Sequence, residues 1–160
     1  MTAEGGLPVL RLPLPEGGAD LEGEVAPGAL GLDEDPWIRP DGPLVYRLRA
    51  EATGGGQILI RGAARLRLNA RCSRCAENFS TITEDPAFFR AYACPDGLES
   101  IPFGEDVREE LLVRLPQVLV CQPGCRGLCP QCGQNLNQAP CGCTGPEGDS
   151  RWSGLEGISW

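Results

Sequence analysis

The residues of this 160-residue chain that could do chemistry are its nine cysteines, and their spacing says what chemistry that would be. Cys72 and Cys75 form a CxxC pair. Cys121, Cys125, Cys129, Cys132, Cys141 and Cys143 crowd together further on, and Cys94 stands alone. Eight clustered thiols fill two four-thiolate sites with one left over. Cys129-Pro130-Gln131-Cys132-Gly133 has the form of a zinc knuckle: a tight turn points two sulfurs at one ion, and Gly133 tolerates the positive φ that follows. Cys141-Gly142-Cys143 then closes that tetrahedron. The other site joins Cys72 and Cys75 to Cys121 and Cys125. The alternative is that Cys72 and Cys75 are a redox pair or hold no metal. Two structural zinc ions are expected, since four sulfurs leave no position open for water. Iron in a rubredoxin-like site is the alternative, because four thiolates hold either metal. Cys94 is most simply a small buried hydrophobe.

The composition excludes much else. There is no histidine, which removes Ser-His-Asp and Cys-His catalysis and the usual general base near neutral pH. All fourteen positive charges are arginine, so there is no lysine for a Schiff base or a phosphate loop. Twenty-two glycines and fifteen prolines point to many turns, and 41% apolar residues to a thin core. No apolar run is long enough to span a bilayer. The first residues lack a basic stretch followed by an apolar one, so no secretory signal is expected and the cytoplasm is the expected compartment. Reduced thiols there favour metal ligation over disulfides.

The elements that must position these sulfurs follow from the hydrophobic pattern. Leu7 to Leu14 reads as an edge strand limited by its prolines. Glu16 to Gly42, acidic and rich in Gly and Pro, reads as a loop with short ordered pieces. Clearer alternation starts at Leu44, with Leu44, Tyr46, Leu48 and Ala50 on one face and Val45, Arg47, Arg49 and Glu51 on the other. Thr53 to Gly56 is a turn, and Gln57 to Arg61 resumes as strand. Leu66, Leu68 and Ala70 continue inward, leading into Cys72, and residues 78–94 give a strand pair or a bent strand. Gly104 to Leu115 predicts a helix, with Val107, Leu111 and Leu115 on one side, Glu105 and Asp106 at its positive end, and Pro116 stopping it. A short helix from Asp149 to Trp160 would need something to dock onto. The expected fold is α+β and β-rich: antiparallel strands, one helix and a C-terminal Cys-rich zinc-ribbon-like segment. Residues 1–120 would form the β-rich unit, with its helix near 104–115. Residues 121–160 would form a metal-binding tail.

The net charge is −8, which does not draw the whole molecule to nucleic acid. Yet residues 47–75 carry seven arginines against one glutamate. Arg47, Arg49, Arg65, Arg67 and Arg71 could share one exposed strand face, with Arg74 at the knuckle beside them. Arginine forks match phosphate oxygens and stack on bases, so an RNA-facing stripe is one reading. A solvated face, or one that meets an acidic protein, is the other. Glu105, Asp106, Glu109 and Glu110 could be taken for a magnesium cluster of a nuclease but read better as a helix N-terminus and its solvated side. No enzyme activity, membrane contact or small-molecule substrate is expected.

With these residues placed, the chain resembles the YceD family, the large ribosomal RNA subunit accumulation proteins. The likeness is carried by Arg71-Cys72-Ser73-Arg74-Cys75, by Val107-Arg108-Glu109-Glu110-Leu111-Leu112 running into Leu115-Pro116, by Cys125-Arg126-Gly127-Leu128-Cys129-Pro130-Gln131-Cys132-Gly133-Gln134-Asn135-Leu136-Asn137, and by Arg151-Trp152 to Leu155. It covers about residues 7–160. The resemblance implies a non-enzymatic bacterial factor supporting synthesis, processing or stability of large-subunit ribosomal RNA. Its partner would be that RNA or a large-subunit ribosomal protein. Some members keep the first CxxC without the later cluster, which implies separable metal sites. A thiol or zinc redox sensor, or a protein-interaction adaptor, is the alternative function.

Overall fold

The computed structural model describes residues 6–144. The chain runs through β1 (Leu10–Arg11), β2 (Ala19–Val25), a 3-10 turn (Pro27–Leu30), β3 (Ile38–Pro40), β4 (Leu44–Thr53), β5 (Gln57–Arg71), β6 (Asn78–Ala93), β7 (Ser100–Ile101) and α1 (Phe103–Val113). The proposed helix over 149–160 lies outside the described residues. The fold is α+β and strand-rich, as the periodicity predicts. No helix among the described residues is long and apolar enough to cross a membrane.

The long hairpin β5–β6 is the backbone of the sheet. β5 pairs antiparallel with β6 along one side and with β4 and then β3 along the other, and β2 extends the sheet beyond β4. Residues 78–93 are thus one strand, bent by a register shift between Gly62 and Ala64 of its partner. Gly62 is required there: its φ is 150°, and a Cβ would collide with the Arg47 carbonyl oxygen. A two-strand ribbon, β1–β7, closes the other side of the core.

The acidic stretch expected as loop contains β2 and β3. In β2, Ala19, Leu21, Gly23 and Val25 alternate with Asp20, Glu22 and Glu24. Its polar face carries nothing but acids and its apolar face includes a glycine, so the alternation is weak in sequence. The partner supplies what is missing: Asp20 lies opposite Arg49 and Glu22 opposite Arg47. Cross-strand charge pairing of this kind stabilises by a few tenths of a kcal/mol to about 1 kcal/mol per pair.

The core lies on one face of the sheet. Leu44, Tyr46, Leu48 and Ala50 of β4 and Ile58, Ile60, Leu66 and Leu68 of β5 are buried against Phe103, Val107 and Leu111 of α1. The Tyr46 and Phe103 rings meet edge to face at 5.6 Å. Each of the Leu, Ile, Val and Phe side chains contributes about 1.5–3 kcal/mol on burial. Polar ties fix the helix to β6. The Thr83 hydroxyl donates to the Leu111 carbonyl at 2.7 Å, and buried Asp85 holds Arg114 at 3.0 Å. Tyr92 donates to Asp106 at 2.6 Å, and burial together with that carboxylate pushes its phenol up. The helix runs from Phe103 to Val113, slightly earlier than the pattern predicts, and Leu115 still packs against the core. The opposite face of the sheet carries the arginines and is covered by no element among the described residues.

Candidate metal centres

β5 ends at Arg71 and β6 begins at Asn78, so Cys72 to Glu77 form the turn of the longest hairpin. The Cys72 N–H donates to the Glu77 carbonyl at 2.8 Å and the Ala76 N–H to the Cys72 carbonyl at 2.9 Å, with Ala76 at φ 60°. The second CxxC repeats this pattern. The Cys129 N–H donates to Gln134 at 2.8 Å and the Gly133 N–H to Cys129 at 2.9 Å, with Gly133 at φ 75°. Two knuckles of one geometry therefore stand in the chain, although only the second has the glycine that advertises it.

The chain leaving α1 returns to the first knuckle. The Ser73 N–H donates to the Leu119 carbonyl at 2.8 Å, and Cys121 and Cys125 arrive opposite Cys72 and Cys75. The Sγ atoms of Cys72 and Cys125 are 3.8 Å apart and those of Cys75 and Cys121 3.7 Å. The second group is Cys129, Cys132, Cys141 and Cys143. In each group all four sulfurs lie within 4.8 Å of one another. A tetrahedral ion with metal–sulfur bonds of about 2.3 Å has sulfur–sulfur edges of about 3.8 Å, so the donor set fits such an ion in number, type and spacing. Either group could hold a metal ion.

The electrostatics explain why a cation suits these pockets. Burial opposes ionisation of Cys72, but the backbone N–H groups of Cys75, Cys121 and Arg74 outweigh it and bring this thiol down to about 6. At Cys129 the backbone N–H groups of Cys132 and Gln131 do the same, to about 6. The neighbours then suffer. Burial and the adjacent sulfurs push Cys121 up to about 12, and the sulfurs of Cys132 and Cys129 with burial push Cys143 up to about 12. Four thiols this close cannot all ionise unless positive charge sits among them.

Residues with no cysteine signature join the two groups. Leu128 donates to the Arg74 carbonyl at 3.0 Å, and Gly127 (φ 76°) passes so close to Arg74 that a Cβ would lie 3.1 Å from the Arg74 carbonyl oxygen. Asn137 donates to the Cys125 sulfur at 3.3 Å and accepts from the Arg126 N–H at 2.8 Å. Glu77, in the first knuckle, receives Gln138 at 3.0 Å and Asn135 at 3.3 Å. Sequence reasoning missed Glu77, Asn135 and Asn137. Asn135 and Asn137 stand in the run that carries the resemblance, whereas Glu77 has only the signal of a polar side chain beside a knuckle, which many loops share. Cys94 is half-buried against the main core, at the far end of β6. Sixteen strand residues, about 50 Å, separate it from the thiolate groups, too far to act as their resolving partner.

The candidate arginines separate into two sets. Arg49 is held by Asp20 at 2.7 Å and by Glu51 at 3.0 Å, and Arg47 faces Glu22. Arg65, Arg67 and Arg71 are exposed along the outer face of β5. Arg74 turns inward to donate to the Cys125 carbonyl at 3.2 Å.

Residues 93–159 match the family described as large ribosomal RNA subunit accumulation protein YceD. That stretch takes in α1 and the whole second thiolate group and begins after the first CxxC. The chain is also similar to uncharacterized proteins of Mycobacterium bovis and Mycobacterium tuberculosis. It is 28% identical to each over 68% of its own length, and spans 58% of theirs. No solved structure matches it. Through the segment that carries the helix and the second knuckle, the chain is similar to the YceD family.

Proposed function

We propose that the chain is a non-enzymatic cytoplasmic factor that supports synthesis, processing or stability of large-subunit ribosomal RNA, with a scaffold completed by two structural zinc ions. The observation that carries this reading is the pair of four-sulfur groups in a chain whose residues 93–159 match a family described by ribosomal RNA accumulation. Four sulfurs per ion leave no corner for water, so the metals build shape rather than activate a nucleophile. Zinc suits an all-thiolate tetrahedron that has no electron to pass. In this reading residues 1–120 are the β-rich unit and 121–160 the metal-binding tail, and the first zinc ties one to the other through Cys121 and Cys125. The partner is large-subunit ribosomal RNA or a large-subunit ribosomal protein, met by the exposed arginines.

Two measurements test it. Elemental analysis of the purified chain is expected to give two zinc ions. Filling them should release protons at pH 7, because Cys121 and Cys143 hold theirs up to about 12 in the metal-free chain. Apparent affinity is then expected to rise with pH, and to fall most steeply as acid protonates Cys72 and Cys129 near 6 as well. Chelator competition across that range checks the sign, and an affinity indifferent to pH would remove the thiolates as ligands. Separately, replacing Arg65, Arg67 and Arg71 with Glu is expected to lower co-sedimentation with large-subunit precursors severalfold. Unchanged sedimentation of that triple variant would take the arginine face out of the reading.

A further inference from the structure

The outer face of the sheet is not uniformly basic. Toward β2 it carries Asp20 and Glu22, which answer Arg49 and Arg47, and Glu24 opposite Val45. Toward β3, which Asp35 and Asp41 flank, a different surface begins. Trp37 is 55% exposed, a large aromatic side chain left in solvent. It is nevertheless firmly placed: the Asp35 carboxylate accepts from the Trp37 and Ile38 N–H groups at 2.8 and 3.0 Å, and the Trp37 carbonyl accepts from the Arg71 N–H at 2.8 Å. The Arg71 guanidinium lies 5.9 Å from the Trp37 ring centroid and is itself tied to the Ala76 carbonyl at 3.1 Å.

Register puts a set of groups beside that ring. Arg39 pairs with Asn69, and Asn78 pairs with Arg71, so Trp37, Arg39, Asn69, Arg71 and Asn78 line one open cleft. Arg39 and Arg71 form no ion pair among the described residues. Two strand positions on, Arg67 follows on the same face. Alternate residues of a strand are about 6.7 Å apart, a step comparable to the spacing of phosphates along an extended nucleotide strand.

We propose that this corner binds single-stranded RNA, with Trp37 as a stacking platform for a base and Arg39, Arg67 and Arg71 as its phosphate contacts. Asn69 and Asn78 stand where carboxamides can meet base edges. This rests on the ribosomal RNA reading above and names the contact within it. An acidic peptide would satisfy the arginines but leaves the held, exposed indole and the flanking carboxamides without a role. A duplex is disfavoured because its width would carry phosphates over the β2 acids, whereas a single strand along β3 and β5 stays clear of them. The net charge of −8 sharpens the point, since only a short local footprint escapes repulsion.

The test uses the full-length zinc-loaded protein and fluorescein-labelled RNAs of about twelve nucleotides, uridine-rich or adenosine-rich, with a duplex of equal length. Single strands should bind more tightly than the duplex. Trp37→Ala should weaken binding about tenfold or more, and Trp37→Phe should recover much of it, because stacking needs a π-face rather than an indole. The exposed pair Arg39→Gln with Arg67→Gln should flatten the log–log salt dependence by about 1.4, roughly 0.7 per lost phosphate contact. This second variant keeps the proposal open to refutation even if Trp37→Ala folds poorly, and retained zinc serves as the folding check. Equal RNA affinity of both variants and the unaltered chain overturns it. So does failure of the unaltered chain to bind any single strand while still sedimenting with large-subunit precursors, which would make the partner a protein and leave the proposed function standing. Absence from those precursors sinks the proposed function itself, whatever the RNA titration gives.

Discussion

A chain with Cys72 replaced by serine is expected to hold one metal ion fewer than the unaltered chain, to lose the order of the first knuckle and to loosen the second. Cys72 is 1% exposed and sits where three segments converge. Its sulfur accepts from the N–H groups of Arg74 and Cys121, each at 3.4 Å, and faces Cys125 at 3.8 Å. A serine oxygen is shorter, harder and neutral, so it neither reaches these donors equally nor replaces a thiolate. Losing the first ion removes folding free energy of order ~10 kcal/mol from the segments it joins. Damage does not stop there, because the second group rests on Arg74 and Glu77 of the first knuckle. Metal counting and a thermal melt check this together. Two ions retained with an unaltered melting temperature would show that the first group is not a metal centre.

How much of this was legible in the sequence depends on the physical signal each element leaves. β4 and β5 were legible because Leu44, Tyr46, Leu48 and Ala50, and later Leu66, Leu68 and Ala70, alternate with residues that are polar except for Val45. The helix was legible because Val107 and Leu111 repeat at its period and Pro116 ends it. β2 was not, since its inward side includes Gly23 and its outward side is stabilised by arginines on another strand; cross-strand charge has no local trace. That residues 78–94 form one bent strand rather than a strand pair was not decided locally, because the register shift is set by Gly62 on the neighbouring strand. At the candidate sites, sulfur spacing disclosed the knuckles. Trp37 gave no hint, since one tryptophan in a Pro-rich stretch reads as core, and only pairing with Arg71 leaves it on the open face.

Serine at both Cys129 and Cys132 is expected to give a milder and more local failure than serine at Cys72. The second knuckle holds residues 126–143 together, but the core of Phe103, Val107, Leu111 and the strands beneath them lies elsewhere and takes nothing from it. Cys129 is the buried member of the group, while Cys132 and Cys143 are exposed, as befits a loop that an ion would organise more than packing does. Dependence between the knuckles runs mainly one way. The second leans on Arg74 and Glu77, while the sulfurs of the first receive from residues 126–143 the Asn137 hydrogen bond to Cys125. The double variant should therefore keep one metal ion and most of the thermal stability of the sheet, while cleavage by a protease appears near residues 126–143. Removing Asn137 as well, by Asn137→Ala, should then loosen the remaining ion toward chelators, because Cys125 loses a donor that favours its thiolate. Equal loss of stability from the Cys72 variant and the Cys129–Cys132 variant would contradict this order, and would mean that the two centres fold as a single unit.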